Sequence, residues 1–343
     1  MRQTFGILKF VFFLSSVLAY SANVVAQAES IEPSTAQHDT QVWLKKIQSS
    51  AQKLNYSGTF VYQQGSQVRT SRITHILNGR NEVEKLEILD GKPREYIRNN
   101  EEIVCYVPES KSIRIEKRVT QDVFPAILGA NPTELAEHYN LKMGETGRVA
   151  GFDCQAIILE PKDKLRYGYK LWAEKSTGLL LKAQTLNEKN SVVEQIAFTQ
   201  LVIGHIDASR VKPSVKNTQG WRVENAVMSE ANLSGWSVKA MPAGFKKVRE
   251  MKRLITDTPA SATAESAQST HREVSQIVYS DGLAAISVFI EPASQSRTEG
   301  SMQQGAMNIV GKRYGDYWLT VVGEVPAAAI KQVANSIELK TQP

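Results

Sequence analysis

Between Tyr56 and Val202 apolar and polar residues alternate with period two, and turn-forming residues interrupt the alternation at intervals. Tyr56 to Gln63 and Val68 to Leu77 are rich in Thr, Val, Ile and Tyr. Asn78-Gly79 follows, then Asp90-Gly91 and Asn99-Asn100. Such dipeptides supply the positive φ angles that tight hairpins need, so consecutive antiparallel strands are expected. Further strands are expected at Phe152 to Leu159, Tyr167 to Ala173, Leu179 to Thr185 and Val192 to Val202. Helical signals are few. Asp39 or Thr40 offers a cap for a helix with Trp43, Ile47, Ala51 and Leu54 on one face, and Asn131-Pro132-Thr133-Glu134 opens a short helix through Tyr139. A long meander with few helices must curl to bury one face, which predicts a strongly bent sheet or incomplete barrel wrapped over those helices.

Beyond this meander the composition shifts. Asp207 to Asn217 has few large apolar residues and reads as a linker. Trp236 and Pro242-Ala243-Gly244-Phe245 lead into a basic strand, and Thr256 to Thr270, mostly Thr, Ser, Ala and Pro, reads as a mobile loop. Val274 to Tyr279 with Ala284 to Glu291, and Met307 to Tyr314 with Tyr317 to Val322, read as hairpins. Pro326 opens a last helix with Ile330, Val333, Ala334 and Ile337 on one stripe. The expected organisation is a large domain at 39–205, a linker at 206–217 and a smaller α/β domain at 218–340, an antiparallel sheet with a C-terminal helix.

The first residues point to export. Arg2 and Lys9 precede a mainly apolar eleven-residue run, Phe10 to Tyr20, and Asn23-Val-Val-Ala26 closes it with small residues. The run falls short of the ~20 apolar residues of a membrane span, so 1–26 reads as a signal peptide. No Cys follows it, so a lipoprotein anchor is not expected. The full chain has 41 basic and 35 acidic groups, and without Arg2 and Lys9 the balance is 39 against 35, or +4. An exported chain with so small an excess is not expected to bind nucleic acid. Its densest basic patch is Lys246, Lys247, Arg249, Lys252 and Arg253, with Glu250 among them. That patch reads either as a solvated strand face or as a contact for an acidic partner or an anionic lipid headgroup.

Residues 86–109 hold nine charged side chains among twenty-four. Their signs are mixed and spread over several strands, which reads as a solvated face with cross-strand pairs rather than an active site. The five histidines are scattered, with none in a metal-ligand spacing, and His75 reads as a hydrogen-bonded structural residue. No G-x-S-x-G occurs, and Gly305 to Lys312 has the wrong spacing for a phosphate loop. Neither a cofactor, a metal nor catalysis is expected. The two cysteines, Cys105 and Cys154, leave both a disulfide and buried thiols open.

Several motifs resemble one family. Arg72-Ile-Thr-His75, Glu84-Lys-Leu with Leu89-Asp-Gly91 and Arg94-Glu95, and Arg166-Tyr-Gly-Tyr-Lys-Leu-Trp172 with Thr177-Gly-Leu179 resemble the large domain of the RseB/MucB sigma-E regulators. Tyr279-Ser-Asp-Gly-Leu283, Ser287-Val-Phe-Ile-Glu-Pro292 and Val322-Gly-Glu-Val-Pro326 resemble their small domain. The resemblance implies a mainly β fold: a LolA/LolB-like half-open antiparallel barrel around helices, plus the smaller α/β domain. It implies a periplasmic stress sensor that binds the periplasmic domain of a membrane anti-sigma factor and blocks its first cleavage by a site-1 protease. Lipopolysaccharide or the acyl chains of mislocalised lipoprotein would release that block. The chain would then be peripheral to the inner membrane through its partner, with homo-oligomerisation left open. The competing readings are a periplasmic lipoprotein or lipid carrier of LolA type and, from another class, an exported hydrolase. The Thr256 to Thr270 segment and the two cysteines match no motif of the family.

Overall fold

The computed structural model describes residues 33–79, 81–117, 131–226, 228–233, 235–257, 270–294 and 297–340. The signal peptide expected at 1–26 and most of the loop expected at Thr256 to Thr270 lie outside the described residues.

Helix α1 (Pro33–Lys53) starts upstream of the expected cap. Its buried stripe is Thr40, Leu44, Ile47 and Ala51, with Leu44 at 0 % exposure. Trp43, expected on that stripe, is half-buried and carries the Lys46 ammonium 4.8 Å from its ring centre. Strands β1 (Tyr56–Gln64), β2 (Gln67–Asn78), β3 (Asn81–Ile88), β4 (Arg94–Asn99), β5 (Glu102–Val107) and β6 (Ser112–Lys117) follow as the expected meander. Helix α2 (Pro132–His138) begins as its sequence requires. Asn131 Oδ1 accepts from the Thr133 N–H at 3.0 Å, and Pro132 takes the first turn, where no N–H partner is needed. The meander resumes through β7 (Tyr139–Val149), β8 (Phe152–Pro161), β9 (Gly168–Glu174), β10 (Leu180–Leu186) and β11 (Val192–Ile203).

These strands and β12 (Arg222–Ala226) form one twelve-stranded sheet in the order β12-β6-β5-β4-β3-β2-β1-β11-β10-β9-β8-β7. Period-two alternation gives it two faces. On one, Leu44 and Ile47 of α1 and Leu135 of α2 pack on Ile157, Leu159, Tyr169, Leu171 and Ala183 of β8 to β10. A second cluster, with Tyr56, Phe60, Ile73, Leu181 and Phe198, extends this core to β1, β2 and β11. β1 and β11 approach closely there: a Cβ on Gly58 would stand 2.6 Å from the Gln200 carbonyl oxygen. The meander reading did not anticipate β12, which runs parallel to β6.

The second sheet comprises β13 (Met228–Glu230), β15 (Lys246–Asp257), β16 (Thr270–Ser280), β17 (Ala285–Pro292), β18 (Gly300–Gln304), β19 (Met307–Tyr314) and β20 (Tyr317–Gly323). Its order is β13-β15-β16-β17-β20-β19-β18, antiparallel throughout, while β14 (Trp236–Val238) pairs with β21 (Ile337–Leu339). Helix α3 (Ala327–Asn335) buries Ala329, Ile330, Val333 and Ala334 against Ile277, Ile286, Val288, Leu319 and Val321. Ile337, expected on that helix, opens β21 instead and is buried by it.

One buried cation joins the two sheets. The Arg166 side chain is fully buried; Nε donates to Asp163 at 3.0 Å, Nη1 to Asp281 at 3.1 Å and Nη2 to the Ala243 carbonyl at 2.6 Å. Tyr139 OH also donates to Asp281, at 3.2 Å, and the Tyr139 and Phe245 rings lie 5.5 and 5.8 Å from the guanidinium. Leu283, from the same β16–β17 turn as Asp281, enters the core beneath α1. Removing one partner of such a pair leaves the other charge buried and unanswered. Arg166→Met is therefore expected to lower unfolding stability by about 3–5 kcal/mol in urea titration, and Arg166→Met with Asp281→Asn to recover part of it.

Candidate functional site

Strands β2 to β6 carry the charge-rich stretch, and it is not the solvated face expected from sequence. Lys85 is 3 % exposed and Arg98 5 %. Register places them on opposite faces: Lys85 pairs with Thr74 and Ile97, whereas Arg98 pairs with Glu84 and Ile103. The face of Lys85 is covered by a distant part of the chain, which a strand-by-strand reading does not see.

On Lys85's face the cover is the segment expected as a linker. Lys85 Nζ donates to the Lys212 carbonyl at 3.0 Å and to Ser214 Oγ at 2.8 Å, and lies 3.3 and 3.4 Å from Glu87 and Glu95. The Ser214 N–H donates to Glu95 at 2.9 Å, and Arg210 Nη1 donates to Ser57 Oγ at 3.3 Å. The segment is thus fastened across β1 to β4.

The face shared with the helices holds Tyr56, His75, Glu82, Glu84 and Arg98. The His75 ring stacks on Tyr56 at 5.1 Å, with Nδ1 2.8 Å from the Leu54 carbonyl and Nε2 3.1 Å from Glu82. Arg98 Nη2 donates to Glu82 at 2.6 Å and to Glu84 at 3.5 Å. The Glu82 carboxyl is held down at about 2, chiefly by the His75 hydrogen bond and then by Arg98, against the cost of burial. Burial pushes Glu84 the other way, upward, with the Arg98 charge opposing it. His75 is the structural histidine that its strand position suggested.

Further along this face lies a cavity of about 490 Å³ lined by Arg94, Tyr96, Ile103, Cys105, Val107 and Arg114, among others. Ile103, Cys105 and Val107 alternate along β5, so one face of that strand forms an apolar floor. Arg114 at the rim is paired with Glu224 of β12 at 2.9 Å, while Arg94 is exposed. The size falls within the range of small-molecule pockets, ~300–1,000 Å³. The sequence showed the alternation but not that a cavity stands over it. Among the described residues no group of three His, Cys, Asp or Glu is placed to hold a metal ion.

Cys105 and Cys154 are free thiols on β5 and β8, eight strand positions apart in the sheet. Burial raises the pKa of both, that of Cys154 to about 11. The basic patch lies on β15, where Lys246 pairs with Glu134 of α2 at 2.9 Å, Lys247 with Glu250 at 2.7 Å and Lys252 with Glu273 at 2.7 Å. Arg249 is half-buried beside them, and the Arg253 side chain lies outside the described residues. These cations share a strand, each lysine with a carboxylate already in contact.

Comparison with known proteins is consistent along most of the described chain. A family model for the MucB/RseB N-terminal domain matches residues 39–215, and one for the MucB/RseB C-terminal domain matches 230–338. The sigma factor AlgU regulatory protein MucB of Pseudomonas aeruginosa is 30% identical over 316 residues, covering 89% of this chain and 92% of the relative. The sigma-E factor regulatory protein RseB of Haemophilus influenzae is 24% identical, covering 87% and 90%. A crystal structure of MucB in complex with MucA(peri) superposes with a TM-score of 0.66 at 27% identity, covering 89% of this chain and all of that one.

Two outcomes test the site's electrostatics and thiols. The depressed Glu82 pKa contributes stability that is present above pH ~4.5 and is lost as pH falls toward 2. Glu82→Gln should therefore unfold at lower urea than the unsubstituted protein at pH 6, by up to about 3 kcal/mol, with the gap narrowing at pH 3. Alkylation of unreduced, denatured protein should label two thiols; fewer would mean that a disulfide forms.

Proposed function

The chain belongs to the MucB/RseB family of sigma-factor regulatory proteins, and from that membership we propose that it works in the periplasm as a non-catalytic guard of a membrane anti-sigma factor. It binds the periplasmic segment of a factor of the RseA/MucA type and keeps site-1 protease from cutting it, which restrains sigma-E-type activity. The observation that carries this reading is the likeness, over 89% of the chain, to MucB solved in complex with MucA(peri). In the proposed organisation the large domain at 39–205 and the small domain at 218–340 are joined by the 206–217 connector, with 222–226 returning to the large sheet as β12.

The release signal in this reading is lipopolysaccharide or a mislocalised lipoprotein, whose acyl chain occupies the cavity over β5. Support comes from that cavity's apolar floor; its rim carries Arg94 and Arg114 beside Glu109 and Glu116. The proposed partner or headgroup contact is the β15 strand. Its lysines are exposed and held in surface ion pairs, each worth only ~0–1 kcal/mol, so an incoming carboxylate or phosphate exchanges with Glu134, Glu250 or Glu273 at little cost. A lipid carrier is the second reading, favoured by the same cavity; the second sheet, locked on through Arg166, is an element that a minimal carrier does not need.

The test is a pull-down with an anti-sigma periplasmic segment, alone and with lipopolysaccharide. Capture that lipopolysaccharide reduces, together with protection of the segment from site-1 protease, is the expected result. Lipid binding without any capture of the segment would replace the guard by the carrier.

A further inference from the structure

The strands of the second sheet carry apolar residues on both faces, while α3 covers one. On the α3 face Ile277, Val288 and Val321 are buried to 1 % exposure or less. A sheet with one wet face alternates apolar and polar residues, and continuous apolar runs belong to sheets covered on both sides. Here Val278 follows Ile277, Phe289 follows Val288 and Val322 follows Val321. Register sets these three on the face away from α3: Val278 pairs with Ser287, Ser287 with Val322, Val322 with Ile309 and Ile309 with Met302, with Phe289 two residues beyond Ser287. Among the described residues no helix lays an apolar stripe there. Met302 is 60 % exposed and the others are half-buried. Beside them Met251 and Gln276 are closed to water, so what stays open is a stripe and not the whole face.

The stripe crosses β16, β17, β20, β19 and β18, which are neighbours in that order, and so runs about 19 Å at ~4.8 Å per strand. Its β16 end continues into a charge. Arg249 of β15 pairs across the ladder with Val278 and therefore shares the stripe's face. Lys246, Lys247 and Lys252 each have a carboxylate in contact, whereas among the described residues half-buried Arg249 has none. The occupant that answers both features is an amphipathic polypeptide, apolar along its length and acidic at one end. A second copy of this chain answers them less well. A two-fold contact centred on the stripe would set Met302 against Arg249 and leave both guanidinium groups unpaired. A lone phosphate would answer Arg249 and leave the stripe in water.

Resting on the guard reading above, we propose that this stripe is the docking surface for the anti-sigma factor's periplasmic segment. The segment lays an amphipathic stretch across the sheet from β16 to β18, with a carboxylate on Arg249. To span the stripe it needs about thirteen residues as a helix or about six as an extended strand. The β15 contact then narrows to its Arg249 side, and the apolar cover supplies the second face that the strand sequences call for.

The test titrates the full mature chain with the anti-sigma periplasmic segment. Val322→Glu puts a charge under the apolar cover and Arg249→Glu sets like charges together, so each is expected to weaken binding by about tenfold or more. Met302→Cys changes an exposed position and serves as a footprint. The bound segment should slow its alkylation several-fold, read by peptide mass so that Cys105 and Cys154 do not contribute. Should Val322→Glu fail to fold, Arg249→Glu and the footprint decide. Undiminished binding by the folded Glu variants, or equally fast alkylation with and without the segment, overturns the stripe as docking surface and leaves the guard reading intact. Protection of Met302→Cys that rises with protein concentration in the absence of the segment, together with a dimer in sedimentation, gives the stripe to a second copy and overturns the proposal likewise. No binding of the segment by the unsubstituted protein overturns both.

Discussion

The large sheet has more strands than its helices can cover. A helix is ~10 Å across and strands stand ~4.8 Å apart, so each helix shelters about two strands. Helices α1 and α2 accordingly account for the four-strand arm β7 to β10, and the core beneath them is apolar. Strands β2 to β6 form the other arm of the same face, beyond their reach. Among the described residues neither helix packs its apolar stripe on that arm. Here it divides into a buried polar cluster around Arg98 and a cavity over β5.

Charge burial on this arm is costly, and the two faces meet the cost differently. Lys85 is fully answered by the chain itself, and the result is mechanical: residues 210–214 are fastened to the sheet. Arg98 is answered only on the side of Glu82 and Glu84. Removing an ion from water costs several kcal/mol, which a single good partner offsets only in part. The first arrangement is suited to holding structure. The second leaves two buried donors without an acceptor among the described residues.

Local signals made most of the strands legible. Asn78-Gly79 and Asp90-Gly91 mark real hairpins, with Gly79 and Gly91 at φ of 63° and 72°, and the Asn131 cap and the Ile330, Val333 and Ala334 stripe of α3 fell where the residues placed them. The failures share one cause. Leu44 replaces Trp43 on the buried stripe, Lys85 and Arg98 are buried where a wet face was expected, and β12 joins β6 in parallel. Each depends on residues far away in sequence, and period-two alternation cannot tell a face open to water from one covered by a returning segment. The cavity was hidden for the same reason: Ile103, Cys105 and Val107 reveal one apolar face, not what stands over it.

Two of the links between the sheets give the proposed regulation a physical path. Strand β6 lines the cavity through Arg114, which is paired with Glu224 on β12, and one residue after β12 the chain enters β13 at the edge of the second sheet. The Arg166 lock holds that second sheet at β7 and the turn before β9. In the proposed regulation a ligand that displaces β6 pulls on the second sheet by backbone pairing while the lock resists. A tenfold loss of partner affinity requires only about 1.4 kcal/mol of difference in ligand affinity between the partner-bound and released states. Burying two methylenes of an acyl chain amounts to about 1.6 kcal/mol. The coupling needed is thus small beside the binding free energy of a lipid, so its strength is set by the lock and the β6–β12 pairing rather than by how tightly the lipid is held.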